Sequence, residues 1–284
     1  MKVLVTGSNG QLGSEIKDFV SSYPEFEFVF LDRHDLSLED LSNLEKLFDE
    51  HQPSFFINCA AYTAVDKAEE EQEMAMSINA KAVGQIASQC KKHNCRLVHI
   101  STDYVFNGNS DHPFQVDDLK GPLNVYGKTK LAGEELAQKE DPDIIIIRTS
   151  WVYSSYGKNF VKTMVRLMQE KESINVVNDQ VGSPTYAADL AKAILEILKS
   201  GKWIPGIYHY SNEGIISWYD FAVEIKALIH SYCLVNPVGS ELYPTPAQRP
   251  RYSALNTEKI RETYSLPIRN WKESLADCFR KISA

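Results

Sequence analysis

The sequence predicts an α/β protein built around a doubly wound parallel sheet, with a smaller C-terminal lobe. Short apolar runs alternate with helical periodicity through the first half of the chain, and a glycine-rich turn follows the first run directly. Because the runs lack polar alternation, they are typical of strands that helices cover on both faces. Strand–helix alternation of this kind indicates a doubly wound sheet. The runs are VLVT (3–6), FVFL (28–31), FFIN (55–58), LVHIS (97–101) and IIIIR (144–148).

The second half of the chain has a looser pattern. It predicts a helix over 158–171, a short strand at INVV (174–177) and a helix at DLAKAILEILKS (189–200). Short segments rich in Trp, Tyr and Pro follow, which indicates an irregular lobe assembled from several segments. The expected division gives the larger domain residues 1–150 with roughly 172–206, and the lobe residues 151–171 with 207–284.

Composition and charge exclude several classes of protein. Of the 284 residues, 43% are hydrophobic and 24% are charged, and the formal net charge is -8. A general nucleic-acid binder usually carries a basic field, so we expect no nucleic-acid partner. The five cysteines are scattered and form no CxxC pair, which indicates reduced thiols rather than a disulfide framework or a zinc site.

The chain carries no recognisable targeting or membrane segment. The N-terminal MKVLVTGSNG reaches its glycine-rich turn too soon to hold the apolar core of a signal peptide. No stretch approaches the roughly 18 apolar residues of a membrane span. We therefore expect a cytoplasmic protein that has no membrane partner.

The glycine turn between the first strand and the first helix is a candidate phosphate-binding element. Gly7, Gly10 and Gly13 follow VLVT at three-residue spacing. Glycine permits a tight turn and a close backbone approach to a pyrophosphate, and the helix N-terminus offers free N–H groups to the anion. Because GxxGxxG only approximates the general dinucleotide fingerprint, the strand–turn–helix context carries the argument.

An acidic residue at the end of the second strand supports a Rossmann-like dinucleotide site. Asp32 lies near the expected offset of roughly 20 residues beyond the glycines, where it could hold the ribose hydroxyls of the adenosine. Its neighbour Arg33 could instead meet a 2′-phosphate, so the pair leaves NAD and NADP both open. We therefore expect the larger domain to bind the dinucleotide and the lobe to bind the substrate.

A tyrosine and a lysine four residues apart open the predicted helix in NVYGKTKLAGEELA, so Tyr126 and Lys130 share one face. The preceding LVHISTDYVFNG places Thr102 and Asp103 at a strand end, where ligands collect in a doubly wound sheet. A carbonyl that receives hydride needs a proton donor, and a free phenol, with a pKa of about 10, is a poor one at neutral pH. A nearby ammonium lowers that pKa. YxxxK alone is common in structural helices, but in this order it predicts Tyr126 as proton donor, Lys130 as its tuning group and Thr102 as the polarising hydroxyl.

Seven blocks in order along the chain carry a resemblance to a known family. They are TGSNGQLG (6–13), NCAAYTAVDKAE (58–69), STDYVFNG (101–108), PLNVYGKTKLAGE (122–134), RTSWVY (148–153), NDQVGSPT (178–185) and YPTPAQRPRYSALNTEK (243–259). On these blocks the chain resembles the extended short-chain dehydrogenase/reductases and, within them, the dTDP-4-dehydrorhamnose reductase family. The likeness extends nearly from end to end, and AAYTAVDKAE and RTSWVY are far more specific than YxxxK.

The resemblance implies a reaction and a set of site residues. The C4 ketone of dTDP-4-dehydro-β-L-rhamnose would be reduced by NADPH, or alternatively NADH, in the last step of dTDP-L-rhamnose synthesis. Tyr126 would donate the proton and Lys130 would orient the nicotinamide ribose. Beside Gly7 and Gly13, the positions that match cofactor contacts are Gly10, Gln11, Leu12, Asp32, Ala61, Tyr62, Thr63 and Tyr104. The positions that match contacts to the sugar nucleotide are Thr102, Asp103 and Trp151.

Two of the lobe-side residues suit a sugar nucleotide on physical grounds as well. The flat indole of Trp151 can pack against a pyranose or a nucleobase, although a tryptophan at a strand end can equally belong to a core. Arg249, in the segment QRP, can neutralise a diphosphate through a bidentate contact, or be a plain surface charge.

Metal binding is not expected. Some family members are metal-assisted dimers joined through acidic side chains, and Glu15 and Asp189 fall near the matching positions. Since the surrounding AADLAK does not reproduce the paired acids, we expect no Mg²⁺ and predict that both acids lie on helix surfaces.

The histidines do not indicate a metal site either, because none has the spacing of metal ligands, and His99 is expected to be packed. The chain is expected to be a monomer or a homodimer.

Two other functions share parts of this pattern. Relatives of the family include a regulatory subunit of methionine adenosyltransferase that binds NADP and a partner protein, but the retained Thr102, Tyr126 and Lys130 favour an enzyme. An epimerase or a dehydratase for another nucleotide sugar shares the fold. A dehydratase would need an acid pair after the threonine, whereas Tyr104 follows Asp103 here.

Overall fold

A computed structural model describes residues 1–283 of the chain and contains one large parallel sheet and three two-stranded sheets. The strands are β1 (Lys2–Thr6), β2 (Glu27–Leu31), β3 (Phe55–Asn58), β4 (Arg96–Thr102), β5 (Ile145–Thr149), β6 (Val152–Tyr153), β7 (Ser173–Val177), β8 (Val181–Gly182), β9 (Thr185–Tyr186), β10 (Gly206–Tyr210), β11 (Ile216–Ser217) and β12 (Leu234–Val238). All six strands of the large sheet are parallel, in the order β10-β5-β4-β3-β1-β2. The chain therefore changes direction across the sheet between β1 and β3, which is where ligands bind in doubly wound folds.

Helices form most of the connections between these strands. They are α1 (Gln11–Phe19), α2 (Leu44–His51), α3 (Val65–Ala68), α4 (Gln72–Met76), α5 (Ala82–Lys92), α6 (Val125–Glu140), α7 (Phe160–Glu170), α8 (Ala187–Lys199), α9 (Trp218–Leu228), α10 (Glu258–Tyr264) and α11 (Trp271–Ser283). A π-helical turn over Ser77–Lys81 joins α4 to α5, and short 3₁₀ turns span Val20–Ser22, Asp103–Val105 and Ser240–Leu242.

Helices cover both faces of the large sheet, as the apolar runs predict. Val3 and Val5 of β1 pack on one side with residues of α1 and α8, whereas Leu4 packs on the other side with α2 and α5. This follows from the alternation of side chains along a strand. Since both sides are apolar, β3 and β5 are buried along their whole length. The predicted doubly wound α/β fold is confirmed, and the five predicted strands of the first half begin and end within one residue of those observed.

The smaller lobe has its own core, in which α7, α9 and α11 pack together around aromatic and sulfur-containing side chains. Two short segments pack differently from the expected division. β7 pairs with β12, and its Ile174 and Val176 enter the core of the lobe, whereas β10 extends the large sheet beside β5. The sequence of a short strand does not show which strand it pairs with, so the domain boundaries at β7 and β10 could not be predicted. The division into a dinucleotide-binding domain and a substrate-binding lobe stays a prediction.

Two further expectations concern the whole chain. All five cysteines are free, which confirms the prediction of reduced thiols. A search of the described helices finds none with the length and apolar character needed to cross a membrane.

Candidate active site

A cavity of about 880 Å³ opens at the carboxyl ends of β1, β3, β4 and β5 and collects most of the predicted site residues. The predicted residues that line it are Gly7, Gly10, Gln11, Leu12, Asp32, Ala61, Tyr62, Thr63, Thr102, Asp103, Tyr104, Tyr126, Lys130 and Trp151. Gly13, Arg249, Glu15 and Asp189 do not line it. Residues more than 140 positions apart therefore meet in one cleft, at the place that the fold predicts.

The glycine turn is shaped by close backbone contacts. Gly7 has φ +66°, and a Cβ there would lie 2.8 Å from the backbone nitrogen of Ala60. A Cβ on Gly13 would lie 2.4 Å from the carbonyl oxygen of Gly7, so this glycine lets α1 pack against the turn rather than lining the cavity. The turn therefore leaves the backbone N–H groups at the start of α1 facing the cavity, an arrangement suited to phosphate.

The carboxylate of Asp32 is held at the end of β2 by backbone donors. The N–H groups of His34 and Asp35 donate to its Oδ1 at 2.7 Å and 3.2 Å. These backbone hydrogen bonds lower the pKa of Asp32, so the side chain is an anionic acceptor. Arg33 lines the same part of the cavity and pairs with Glu39 on the exposed surface. The two residues could serve a ribose hydroxyl or a 2′-phosphate, respectively.

A buried asparagine that the sequence did not single out fixes the segment after β3. The Asn79 side chain accepts from the N–H of Tyr62 at 2.8 Å and donates to the carbonyl of Tyr62 at 3.0 Å. It also donates to the Thr129 hydroxyl on α6 at 3.1 Å. Asn79 lies in the π-helical turn, a distortion frequent at functional sites. An isolated asparagine in a helical pattern gave no signal of this role.

Tyr126 lies beside Thr102 at the floor of the cavity, as predicted from the helix spacing. α6 begins here because the Asn124 side chain caps it, accepting from the N–H of Gly127 at 2.8 Å. Burial raises the pKa of the Tyr126 phenol to about 12, and the Thr102 hydroxyl opposes part of that rise. The phenol is therefore protonated at neutral pH.

Lys130 is buried, and it is not among the groups that shift the pKa of Tyr126, so the expected lowering by its ammonium is not observed. Its ammonium donates to the carbonyl of Ile100 at 2.7 Å and lies 3.4 Å from Nε2 of His99. Burial lowers the pKa of Lys130 to about 8. His99 is packed, as expected, and burial together with the Lys130 charge lowers its pKa well below the usual range.

Asp103 is a buried acid among the residues that line the cavity. The Thr102 hydroxyl donates to its Oδ1 at 3.0 Å, whereas Oδ2 has no hydrogen-bond partner among the described residues. Burial raises the pKa of this carboxyl to about 7, and the nearby Ser253 and Thr102 hydroxyls oppose part of that rise. An unpartnered buried oxygen that lines a cavity fits a hydroxyl group of a bound ligand.

A buried ion pair underlies this floor and was not predicted. The Arg148 guanidinium donates to both oxygens of Glu134, at 2.7 Å and 3.0 Å, and both side chains are almost fully shielded from solvent. Glu134 also accepts from the Ser101 hydroxyl at 2.5 Å. The pair therefore ties β5 to α6 next to Thr102. In the sequence Arg148 only ends the apolar run IIIIR and begins RTSWVY, and neither context indicates its partner.

The two lobe-side candidates lie in different surroundings. Trp151 lines the cavity with its ring stacked on Trp218. Arg249 forms a bidentate pair with Asp66 of α3, with N···O distances of 2.8 Å and 3.1 Å. It therefore bridges the C-terminal segment to the larger domain, where the sequence suggested either a diphosphate contact or a surface charge.

Glu15 and Asp189 are buried, so the prediction that both lie on helix surfaces is wrong. Glu15 accepts from the Ser154 hydroxyl and the Lys281 ammonium, each at 2.5 Å. Each acid is buried together with a cation from the C-terminal part of the chain: Lys281 for Glu15 and Arg269 for Asp189. Sequence spacing within one helix cannot show such distant partners.

The acids do not fit a metal ion, because cations of the chain already neutralise them. The Arg269 guanidinium donates to Asp189 at 3.1 Å, and the Asn212 amide donates to it at 2.7 Å. Over the described part of the chain, His, Cys, Asp and Glu side chains form no group of three that could hold a metal ion.

The sequence of the whole chain matches known proteins from end to end. Residues 1–284 match the family model described as RmlD substrate binding domain. A dTDP-4-dehydrorhamnose reductase from Aggregatibacter actinomycetemcomitans is 37% identical over 96% of this chain and 97% of its own. A dTDP-4-keto-6-deoxy-D-glucose reductase from Streptomyces niveus is 37% identical over 99% of this chain and 97% of its own.

Solved structures agree with this match. The dTDP-4-dehydrorhamnose reductase of Clostridium acetobutylicum superposes with a TM-score of 0.96 at 40% identity, covering 100% of both chains. The corresponding protein of Bacillus anthracis, solved in complex with NADP, superposes with a TM-score of 0.94 at 38% identity, covering 99% of both chains. The family model and these full-length relatives lead to one conclusion: the chain belongs to the RmlD substrate binding domain family.

Proposed function

We propose that this chain is an NAD(P)H-dependent oxidoreductase that reduces dTDP-4-dehydro-β-L-rhamnose to dTDP-β-L-rhamnose, the last step of dTDP-L-rhamnose biosynthesis. One observation carries the proposal. Thr102, Tyr126 and Lys130 line a single cavity together with the glycine turn, in a chain whose full-length relatives are named for this reaction. The dTDP-sugar is the partner, and the cytoplasm is the proposed location.

The residues of the larger domain suit a nicotinamide dinucleotide. The turn at Gly7 offers backbone N–H groups for the pyrophosphate, and the Asp32 carboxylate suits the adenosine ribose. When bound, the reduced nicotinamide supplies the hydride for C4. We propose NADPH, with NADH as the alternative, because the Bacillus anthracis relative is in complex with NADP. Arg33, which lines the cavity beside Asp32, is the candidate for a 2′-phosphate.

The residues on the cavity floor then handle the proton. On ligand binding the Thr102 hydroxyl turns from Oδ1 of Asp103, to which it donates in the free chain, and donates to the C4 oxygen, which polarises the carbonyl. Tyr126 gives its phenolic proton to that oxygen as negative charge develops there. Because burial raises the pKa of Tyr126 to about 12, the phenol holds its proton until an alkoxide takes it. Lys130, fixed by the Ile100 carbonyl, orients the ribose beside it.

The lobe and the adjacent acid hold the sugar nucleotide in this proposal. The free Oδ2 of Asp103 accepts from a sugar hydroxyl, and Trp151 packs on the sugar or the base. Arg249 is the candidate for the diphosphate, which it can reach by exchanging Asp66 for the anion. We propose a monomer or a homodimer that needs no Mg²⁺.

A second substrate has support from one relative. The Streptomyces niveus protein is named for dTDP-4-keto-6-deoxy-D-glucose. The two candidate substrates differ in the configuration of the sugar ring carbons. Dehydratase and epimerase structures that superpose on this chain are only 17% and 18% identical, so they indicate the fold alone.

The test is the loss of nicotinamide absorbance in purified protein supplied with NADPH or NADH in parallel. The ketosugar is generated in situ by the enzymes that precede it, with and without the final epimerising enzyme. Oxidation that requires the epimerised sugar and yields dTDP-rhamnose supports the proposal. Oxidation that proceeds without epimerisation favours the second substrate. Cofactor binding without oxidation of either would contradict both and favour a regulatory subunit.

A further inference from the structure

Trp151 and Trp218 form a stacked pair that joins the lobe to the end of the large sheet. Their ring centroids are 3.5 Å apart and their planes differ by 7°. Trp151 follows β5 and lines the cavity, whereas Trp218 begins α9 and is not among the described residues that line it. One face of the Trp151 indole is therefore covered by protein.

The backbone at Trp151 adopts a conformation that its neighbours must maintain. Its φ of +47° lies in the left-handed region, which is unfavourable for a bulky residue. The Thr185 N–H donates to the Trp151 carbonyl at 3.3 Å, and the next residue pairs with β9. Strain of this kind persists where the surroundings determine it, and it concentrates at ligand sites.

Gly182 closes the edge of the same indole. A Cβ at this position would lie 2.9 Å from Cε2 of Trp151 and 2.6 Å from the hydroxyl oxygen of Ser253. The β8–β11 pairing sets Gly182 opposite Ile216, two residues before Trp218. The two residues that confine the indole are therefore held together by one short antiparallel contact.

Trp218 is itself fixed in place. Ser217 caps α9 through a reciprocal capping box with Asp220. The ring of Phe160 lies 4.5 Å from that of Trp218, on the side of the lobe core. The stack therefore connects the cavity wall to a packed core rather than to a mobile side chain.

We propose that Trp218, with Gly182, is a positioning residue that holds the Trp151 indole in the orientation in which it packs on the nucleotide sugar. The inference rests on the proposed function, in which Trp151 contacts that ligand. Trp218 acts through Trp151 alone, so it affects binding of the sugar nucleotide and leaves cofactor binding and the chemical step unchanged.

Steady-state kinetics of Trp218→Ala and Trp218→Phe test this role, with Trp203→Phe as the matched control, since Trp203 lies outside the cavity lining and packs near Phe55. We expect the KM for the ketosugar to rise by about tenfold in Trp218→Ala, and by less in Trp218→Phe, which can still stack. We expect kcat and the Kd for NADPH to stay within about twofold of the wild type.

Circular dichroism tests whether the stacked pair is present in solution, while the rise of KM at constant kcat separates positioning from a general loss of structure. Two stacked indoles give a coupled signal, which should be present in the wild type and in Trp203→Phe and lost in both Trp218 variants. Addition of dTDP-rhamnose should perturb the signal in the wild type. Because Trp218→Phe keeps an aromatic ring against Phe160, it remains informative even if Trp218→Ala does not fold.

The outcomes separate this inference from the proposed function. If the wild type turns over the ketosugar and both Trp218 variants have the wild-type KM for it, the positioning role alone is overturned. The absence of the coupled signal in an active wild type would overturn it too. A wild type that neither reduces the ketosugar nor binds dTDP-rhamnose by calorimetry would overturn both.

Discussion

The two walls of the cavity are built in different ways. The sheet wall carries Thr102 and Tyr126 on a long parallel strand and a long helix, over a floor of buried hydrogen bonds. The lobe wall carries Trp151 in the short connection between β5 and β6, held by ring stacking. Arg249 lies outside the cavity lining and is held by an ion pair with Asp66. Sheet-wall positions are set mainly by local sequence and backbone ladders, whereas lobe-wall positions depend on partners far along the chain.

This difference suggests a division of labour. A rigid floor suits groups that must meet the reacting carbonyl within a few tenths of an ångström, since small misplacements there cost large factors in rate. An adaptable wall suits recognition of the sugar and the diphosphate. Substitutions in the sheet wall should therefore lower kcat, and those in the lobe wall should raise the KM for the sugar nucleotide.

The largest effect is expected at Tyr126. Tyr126→Phe removes the proton donor while keeping the ring, so kcat should fall by about a thousandfold. The Kd for NADPH should change little, because the phenolic hydroxyl is the only group lost. Stopped-flow absorbance and fluorescence titration measure the two quantities. Tyr232→Phe, at a side chain that is almost fully exposed, is the control.

A Tyr126→Phe variant with turnover near the wild-type rate would contradict the assignment of the proton donor. It would also remove the contrast between the walls, because the sheet wall would then hold no group that the reaction needs. Loss of cofactor binding together with turnover would instead show that the ring hydroxyl holds the nicotinamide.

The next effect concerns the buried Lys130 ammonium and stability. Burial lowers its pKa to about 8 in the folded chain, whereas a lysine in an unfolded chain has a pKa of about 10.4. Between these values the unfolded chain binds a proton that the folded chain has largely released, so this group makes the free energy of unfolding rise with pH. Relative to Lys130→Met, the wild type should gain roughly 2 kcal/mol between pH 8 and pH 10.

Urea unfolding of both proteins at a series of pH values measures this gain. Lys128→Met is the matched control, since Lys128 is exposed on the same helix and should show no such gain. If the free energies of unfolding of the wild type and Lys130→Met differed by the same amount at every pH, Lys130 would have its ordinary pKa. Water would then reach its ammonium in the folded chain.

A smaller effect is expected at Arg249, which lies outside the cavity lining. If Arg249 neutralises the diphosphate, Arg249→Ala should raise the KM for the ketosugar by about tenfold with kcat nearly unchanged. Asp66→Asn weakens the ion pair but leaves the guanidinium in place, so it should raise the KM much less. Arg251→Ala, at an exposed arginine two residues away, is the control.

Equal effects of Arg249→Ala and Asp66→Asn would show that the ion pair matters and the diphosphate contact does not. Substrate binding on the lobe side would then depend on Trp151 and its neighbours, and not on the charge of Arg249.

The sheet wall could be predicted from the sequence, whereas most of the lobe wall could not. The strands, the glycine turn and the Thr102, Tyr126 and Lys130 set have local signals: apolar runs, fixed spacing and a strand end. The stack of Trp151 on Trp218 and the pairing of β7 with β12 have none, because each joins segments about 60 residues apart. Packing between distant segments is decided by the folded core, and the period of the sequence does not encode it.

The smallest effect is expected from metal removal, and it tests the junction between the larger domain and the C-terminal segment. Glu15 of α1 and Asp189 of α8 already have the Lys281 ammonium and the Arg269 guanidinium as partners. A divalent ion would have to displace cations tethered at high effective concentration. Treatment with EDTA should therefore change neither kcat nor Tm, and Mg²⁺ added back should restore nothing. A loss of activity or Tm that Mg²⁺ reverses would show that these ion pairs open in solution, and that the junction is adaptable rather than fixed.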